Sequence, residues 1–225
     1  MSNAASYSRV GLYEKCPASY EWQYVLGHKQ AFNPGPAATR GLEIHQSIED
    51  HFNSDTPLHE DIPDKVAVWI LEHKNKACLS NPEFEFAFTK DWETCEFDAT
   101  EAYIRGYMDN MFVYKDDEDV TFKVVIHEYK TGQIYDDHVD QKQLYAMAAL
   151  IIYPELDEVE VTGIYIDQKK QFSTRYSRLH LHSMQYTWQR RIDKMHLPLY
   201  PARPGMHCRW CPKSSKWKEG SCQVG

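Results

Sequence analysis

Long hydrophobic runs are missing from this chain. No stretch of its 225 residues approaches the roughly 20 consecutive apolar positions of a membrane-spanning helix, which excludes a helical membrane protein. Internal repeats are missing too. No secretory signal opens the sequence, so its six cysteines are expected to stay reduced, and clustered cysteines in a reducing compartment bind metal more often than they build a disulfide framework. Basic charge is scarce over most of the chain: residues 1 to 164 carry 13 Lys and Arg against 30 Asp and Glu, net −17. From Tyr165 onward the balance reverses, 12 against three, net +9. The overall charge of −8 would argue against a polyanionic partner, but this asymmetry does not. What is present is a 42% hydrophobic composition, enough for one sizeable core, and the expectation is a single soluble domain over residues 1–225.

The chemistry concentrates between residues 101 and 130. Alternating large side chains over 101 to 114, a charged turn at Lys115 to Asp119 and a β-rich run over 120 to 130 predict a hairpin. Asp109 then sits on its first strand, and Glu128-Tyr129-Lys130 ends its second. Strand side chains alternate, so Glu128 and Lys130 share a face while Tyr129 points away. Two carboxylates hold a hard cation such as Mg²⁺ or Mn²⁺, which neutralises phosphate charge and lowers the pKa of a bound water, and Lys130 is placed to orient that water or stabilise developing charge. Taken alone, E-x-K reads equally as a solvent-facing pair on an amphipathic strand.

Other segments extend the pattern. Gly41 to Glu49 reads as a helix with Ile44, Ile48 and Phe52 in an i, i+4 stripe and His45 beside it. After the turn Thr131-Gly132, a helix from about Val139 to Tyr153 sets Gln141 and Tyr145 one turn apart, within reach of a phosphate or base. Residues 6 to 26 look helical, 31 to 39 look like a loop, 64 to 80 a helix, and Glu83 to Phe88 a strand.

The series G-x-x-x-H at Gly41 to His45, G-x-M-D at Gly106 to Asp109, E-x-K-T-G at Glu128 to Gly132 and Q-x-x-x-Y at Gln141 to Tyr145 resembles, in order and spacing, the RecB-like branch of the PD-(D/E)XK nucleases. The opening Ser6 to Val10 and Cys16 to Tyr20 resemble the start of those domains. The resemblance implies an α/β (α+β) fold with a mixed βββαβ sheet flanked by helices. It implies metal at His45, Asp109, Glu128 and the Tyr129 carbonyl, with Lys130 catalytic, Gln141 and Tyr145 positioning substrate, and Glu85 an acidic strand residue near the site. The implied activity is a metal-dependent DNA exonuclease in the cytoplasm of a bacterial, archaeal or phage-infected cell. Its implied partners are DNA ends and a recombinase, a helicase or a CRISPR adaptation protein. The competing class is a nuclease-fold module that grips DNA or a partner without cutting.

Cysteine spacing adds a second site. Cys208-Arg209-Trp210-Cys211 is a C-x-x-C and Cys222 follows, one ligand short of the usual four. In the AddB-type and CRISPR-associated members of the resembled family, one early cysteine joins three at the C-terminus around a [4Fe–4S] cluster, and Cys16 matches it by its Cys-Pro context. The last interval is longer here than in the family. Zn²⁺, with His207 as a nitrogen ligand, is the alternative, in a zinc-stapled endonuclease. The segment 205–225 would close with Cys16 onto the metal. Lys169, Lys170, Arg175 and Arg178 on a predicted hairpin, Arg190, Arg191 and Lys194 on a helix, and Arg209, Lys213, Lys216 and Lys218 near the cysteines suit a phosphate track or a solvated charged face. Trp210 and Trp217 could stack on bases or pack at the cluster. Cys78 and Cys95 read as buried thiols.

Overall fold

The computed structural model describes residues 4–28, 35–134, 138–209, 211, 213 and 222; Trp210, Trp217, Lys216 and Lys218 lie outside them. In chain order the elements are helices α1 (Tyr7–Lys15) and α2 (Pro17–Tyr20), a π-helical stretch Glu21–Val25, α3 (Pro36–Ser54) and α4 (Asp64–Leu71). Strands β1 (Leu79–Phe88), β2 (Ile104–Lys115) and β3 (Thr121–Lys130) follow, then α5 (His138–Ile152), β4 (Glu158–Tyr165), β5 (Lys170–Ser177) and α6 (Leu181–Met195). They fall into two compact units, Met1–Ala4 with Pro34–Tyr186, and Ala5–Asn33 with Thr187–Gly225. Among the described residues no helix is long and apolar enough to cross a membrane.

The first unit is built on a five-stranded sheet in the order β1-β2-β3-β4-β5. Neighbours are antiparallel except β3 and β4, which run parallel. A parallel pair needs a crossover, and α5 supplies it. The order β1-β2-β3-α5-β4 is therefore the expected βββαβ arrangement, with β5 added as a hairpin. Gln141, Lys142 and Leu144 to Leu150 of α5 are buried, as a helix that is apolar on nearly every face requires. Ile44 and Ile48 of α3, and Val66 and Ile70 of α4, pack with Ile62, Tyr129, Ile164 and Ile166 into one core cluster. Tyr129 thus faces this core, and the alternation of β3 turns Glu128 and Lys130 the other way.

Two boundaries differ from the sequence reading. The segment expected as a loop to residue 39 is already helical from Pro36, because proline at the first helical position has φ preset and no N–H to satisfy. Conversely, α4 stops at Leu71 rather than near residue 80. Residues from Leu79 are drawn into the β1 register with β2, beginning at Leu79↔Val113, so sheet pairing overrides the helical pattern. Cys78, expected to be buried, is exposed at this strand entrance; Cys95 is half-buried.

Two motif glycines owe their identity to packing. A Cβ on Gly106 would lie 2.7 Å from the Phe86 ring, and one on Gly41 would lie 2.9 Å from Thr131 Oγ1. The second contact brings α3 against the turn after β3 one helical turn before His45. Phe86 is 3% exposed, so its ring has little room to retreat, and Gly106→Ala is expected to destabilise by about 1–3 kcal/mol through overpacking. Urea unfolding checks this; an unchanged midpoint would mean the ring yields freely.

In the second unit, Ser6 caps α1 by accepting the Arg9 N–H at 3.3 Å. Cys16 ends α1 and caps α2, with Pro17 at the first position of α2. Arg191 forms a bidentate pair with Glu14 at 2.8 and 2.7 Å, and Arg203 donates to the Glu14 carbonyl.

Candidate active site

Strand register brings the site together. The β2–β3 ladder ends at Asn110↔His127, and beyond it the Asp109 carboxylate replaces a backbone acceptor, taking the Tyr129 N–H at 2.6 Å. On the other side of β2, the register Pro82↔Asn110 and Phe84↔Met108 puts Glu83 opposite Asp109. Glu83 itself has φ +48°, a left-handed conformation that costs a residue with a Cβ about 1–2 kcal/mol and recurs at functional sites. From above, α3 contributes His45, whose Nδ1 lies 3.7 Å from Asp109 Oδ2. One ligand atom from each of His45, Glu83 and Asp109 lies within 4.8 Å of the others.

Glu128 adjoins this group. Its Oε1 accepts Lys130 Nζ at 2.6 Å and Gln141 Nε2 at 2.8 Å, whereas its buried Oε2 has no protein partner. An unsatisfied buried carboxylate oxygen costs several kcal/mol unless something cationic meets it. A donor set of one imidazole and hard carboxylates, with one oxygen left over, fits a divalent cation such as Mg²⁺ or Mn²⁺. The Tyr129 carbonyl also faces the site: the His45 ring bonds to the Tyr129 backbone in a way that favours the protonated ring, which makes the carbonyl the acceptor.

Electrostatics agree. Burial pushes the Asp109 carboxyl up to about 7, against the Tyr129 N–H and Lys130, which favour its charged form. Burial first, then the charge of Asp109, raises Glu128 to about 7. Burial also raises Glu83, with Glu49 adding like charge, and lowers His45. Burial opposes the charge on Lys130, but Glu128 outweighs it and holds the ammonium above its ordinary value. Lys130 is therefore a cation here, a donor rather than a base.

These values set a pH dependence. Asp109 and Glu128 have folded-state pKa values above their unfolded values near 4, so between about pH 4 and pH 7 the folded chain binds more protons than the unfolded one. Stability without metal falls as pH rises through that window. Thermal melts in chelator should show a lower Tm at pH 8 than at pH 5.5, and Mg²⁺ should raise Tm more at pH 8. A metal-free Tm that climbs over this range would contradict the burial of the pair.

Several sequence expectations need correction. Glu85 does not join the group: it lies two register positions further along β1, opposite Tyr107, and Glu83 takes the place next to Asp109. Gln141 and Tyr145 are buried, 8% and 5% exposed. Both Gln141 amide protons are used, on Glu128 and on the Tyr145 hydroxyl at 2.7 Å, so the pair braces Glu128. Of the basic residues, Arg178 binds the Leu150, Tyr153 and Leu156 carbonyls and so closes the end of α5. Arg175 pairs with Glu158 and Glu160. Glu83 could have been found from sequence only by counting the β1–β2 register, because it and Glu85 share one strand face.

Within the second unit, Cys16, Cys208, Cys211 and Cys222 line one pocket, together with His207 and Ser19. Backbone N–H groups already point at two sulfurs, Arg203 N at 3.5 Å from Cys16 Sγ and Gly205 N at 3.4 Å from Cys208 Sγ. Among the described residues only His45, Glu83 and Asp109 form a set of three within 4.8 Å.

The model of the PD-(D/E)XK nuclease superfamily matches residues 4–215. A search of curated proteins gave no match. Among solved structures, SSO0001 aligns over 100% of this chain and 88% of its own, at 16% identity and a TM-score of 0.49. A protein from Eubacterium rectale named "Putative exonuclease" aligns over 92% of this chain and 87% of its own, at 12% identity and a TM-score of 0.50. At 12% identity the likeness to the Eubacterium rectale protein speaks for the fold alone.

Proposed function

Because the chain belongs to the PD-(D/E)XK nuclease superfamily, we propose that it is a Mg²⁺- or Mn²⁺-dependent deoxyribonuclease acting as an exonuclease on DNA ends, with a structural [4Fe–4S] cluster at its four cysteines. The observation that supports this most is the Asp109, Glu128 and Lys130 constellation: a buried and a part-buried carboxylate, both raised chiefly by desolvation, beside an ammonium that stays charged. A folded chain keeps such a costly arrangement where a cation offsets it.

His45, Glu83, Asp109 and Glu128, with the Tyr129 carbonyl, would hold the cation. A divalent ion there would neutralise phosphate charge and lower the pKa of a bound water. The protein's own part is orientation and proton placement. Lys130, fixed by Glu128 at 2.6 Å, donates from Nζ to the attacking water or to a phosphate oxygen and stabilises charge as it develops. Gln141 holds Glu128 Oε1, leaving Oε2 directed to the site, and the Tyr145 hydroxyl holds Gln141. The Tyr129 N–H fixes Asp109. Cys16, Cys208, Cys211 and Cys222 would hold the cluster, supported by the one pocket they line and by the two N–H···S contacts. Cleavage of end-labelled single- and double-stranded DNA by anaerobically purified protein, with either metal, tests the activity and its polarity. No cleavage with DNA still bound would favour a binding module.

A further inference from the structure

Strand alternation sets Arg105, Tyr107 and Asp109 on one face of β2, so Tyr107 stands about 6.6 Å along the strand from the site carboxylate. It is 44% exposed, although two contacts fix it. Its hydroxyl bonds to Glu85, and the Phe97 ring packs against it, centroids 4.7 Å apart. Arg105 lies over Phe97 at 4.6 Å and clamps that loop through the Phe97 carbonyl and the Asp98 carboxylate. A rigid aromatic ring left half open beside a phosphate-cleaving centre has one obvious complement, the face of an unpaired base, because a duplex buries those faces in its own stack. The nucleotide step from a phosphate to the adjacent base is of the same order as the separation of Tyr107 from Asp109.

We propose that Tyr107, backed by Phe97, is a stacking platform for the unpaired base next to the phosphate held at Asp109, so that the site selects single-stranded DNA. This rests on the nuclease reading and deepens it. The test measures binding by fluorescence anisotropy, using the non-cleaving Asp109→Asn protein and short single-stranded oligonucleotides in which one abasic residue is moved along the strand. One abasic position is expected to weaken binding by about 5- to 150-fold. Adding Tyr107→Ala should weaken binding of the intact strand by a similar factor and erase the abasic effect, and Tyr107→Phe should restore both. An abasic scan with no sensitive position, or a Tyr107→Ala loss that is equal on intact and abasic strands, overturns the proposal. Wild-type cleavage separates the two ideas: cutting with a flat scan sinks the platform alone, and a sensitive scan without cutting leaves the platform and sinks the nuclease.

Discussion

Asp109→Asn is expected to abolish metal-dependent DNA cleavage, a fall of at least about 10²–10³-fold, while DNA binding survives. The substitution is nearly isosteric, and the new Oδ1 can still accept the Tyr129 N–H now bonded at 2.6 Å, so the strands around it should keep their places. What is lost is charge. Asp109 is the residue common to both halves of the site: it lies with His45 and Glu83 in the candidate metal group, and its charge is the largest electrostatic influence on Glu128. Removing it leaves a neutral amide where a hard cation needs an anionic oxygen. The same change relieves repulsion in the metal-free chain, so the variant should melt higher than wild type in chelator at pH 8 and gain less from Mg²⁺. Lys130→Ala is the companion: activity falls, but the metal-dependent gain in Tm remains. Asp109→Asn protein that still degrades end-labelled DNA would remove Asp109 from the ligand set.

How much of this was legible in the chain varies with the range of the interaction responsible. Glu128 and Lys130 follow from period two on a strand, and Ile44 and Ile48 from period 3.6 on a helix; both are local rules. The hairpin that carries Asp109 and the crossover helix are legible for the same reason. Glu83 was not, since its place depends on pairing with a strand more than 20 residues away and on a left-handed φ that no local pattern announces. The contact of Gln141 with Glu128 was not legible, because its partner is an acid on another element. Charge counting shows the same limit. It found the basic C-terminal segment, but Arg178 closes a helix end and Arg191 holds Glu14, so neither can be added without discount to a phosphate track.

Cys16→Ser is expected to have the largest effect on the folded state. Its unit consists of two segments remote in sequence, Ala5–Asn33 and Thr187–Gly225, and Cys16 is the cysteine that the first contributes to the pocket lined by Cys208, Cys211 and Cys222. A cluster held by all four would close almost the whole chain into a loop, restricting the unfolded ensemble, and structural metal binding on the order of 10 kcal/mol is comparable with a total stability of about 5–15 kcal/mol. Serine keeps the volume but offers a hard oxygen in place of a soft thiolate. Anaerobically purified wild type should be brown with iron and sulfide bound. The variant should lose colour and iron and melt at least about 10 °C lower, taking roughly 3 °C per kcal/mol for a chain of this length. Colourless wild type containing one zinc would replace the cluster with the tetrahedral alternative. A variant that kept both its metal and its melting temperature would show that Cys16 is not a ligand and that the two segments are joined by packing alone.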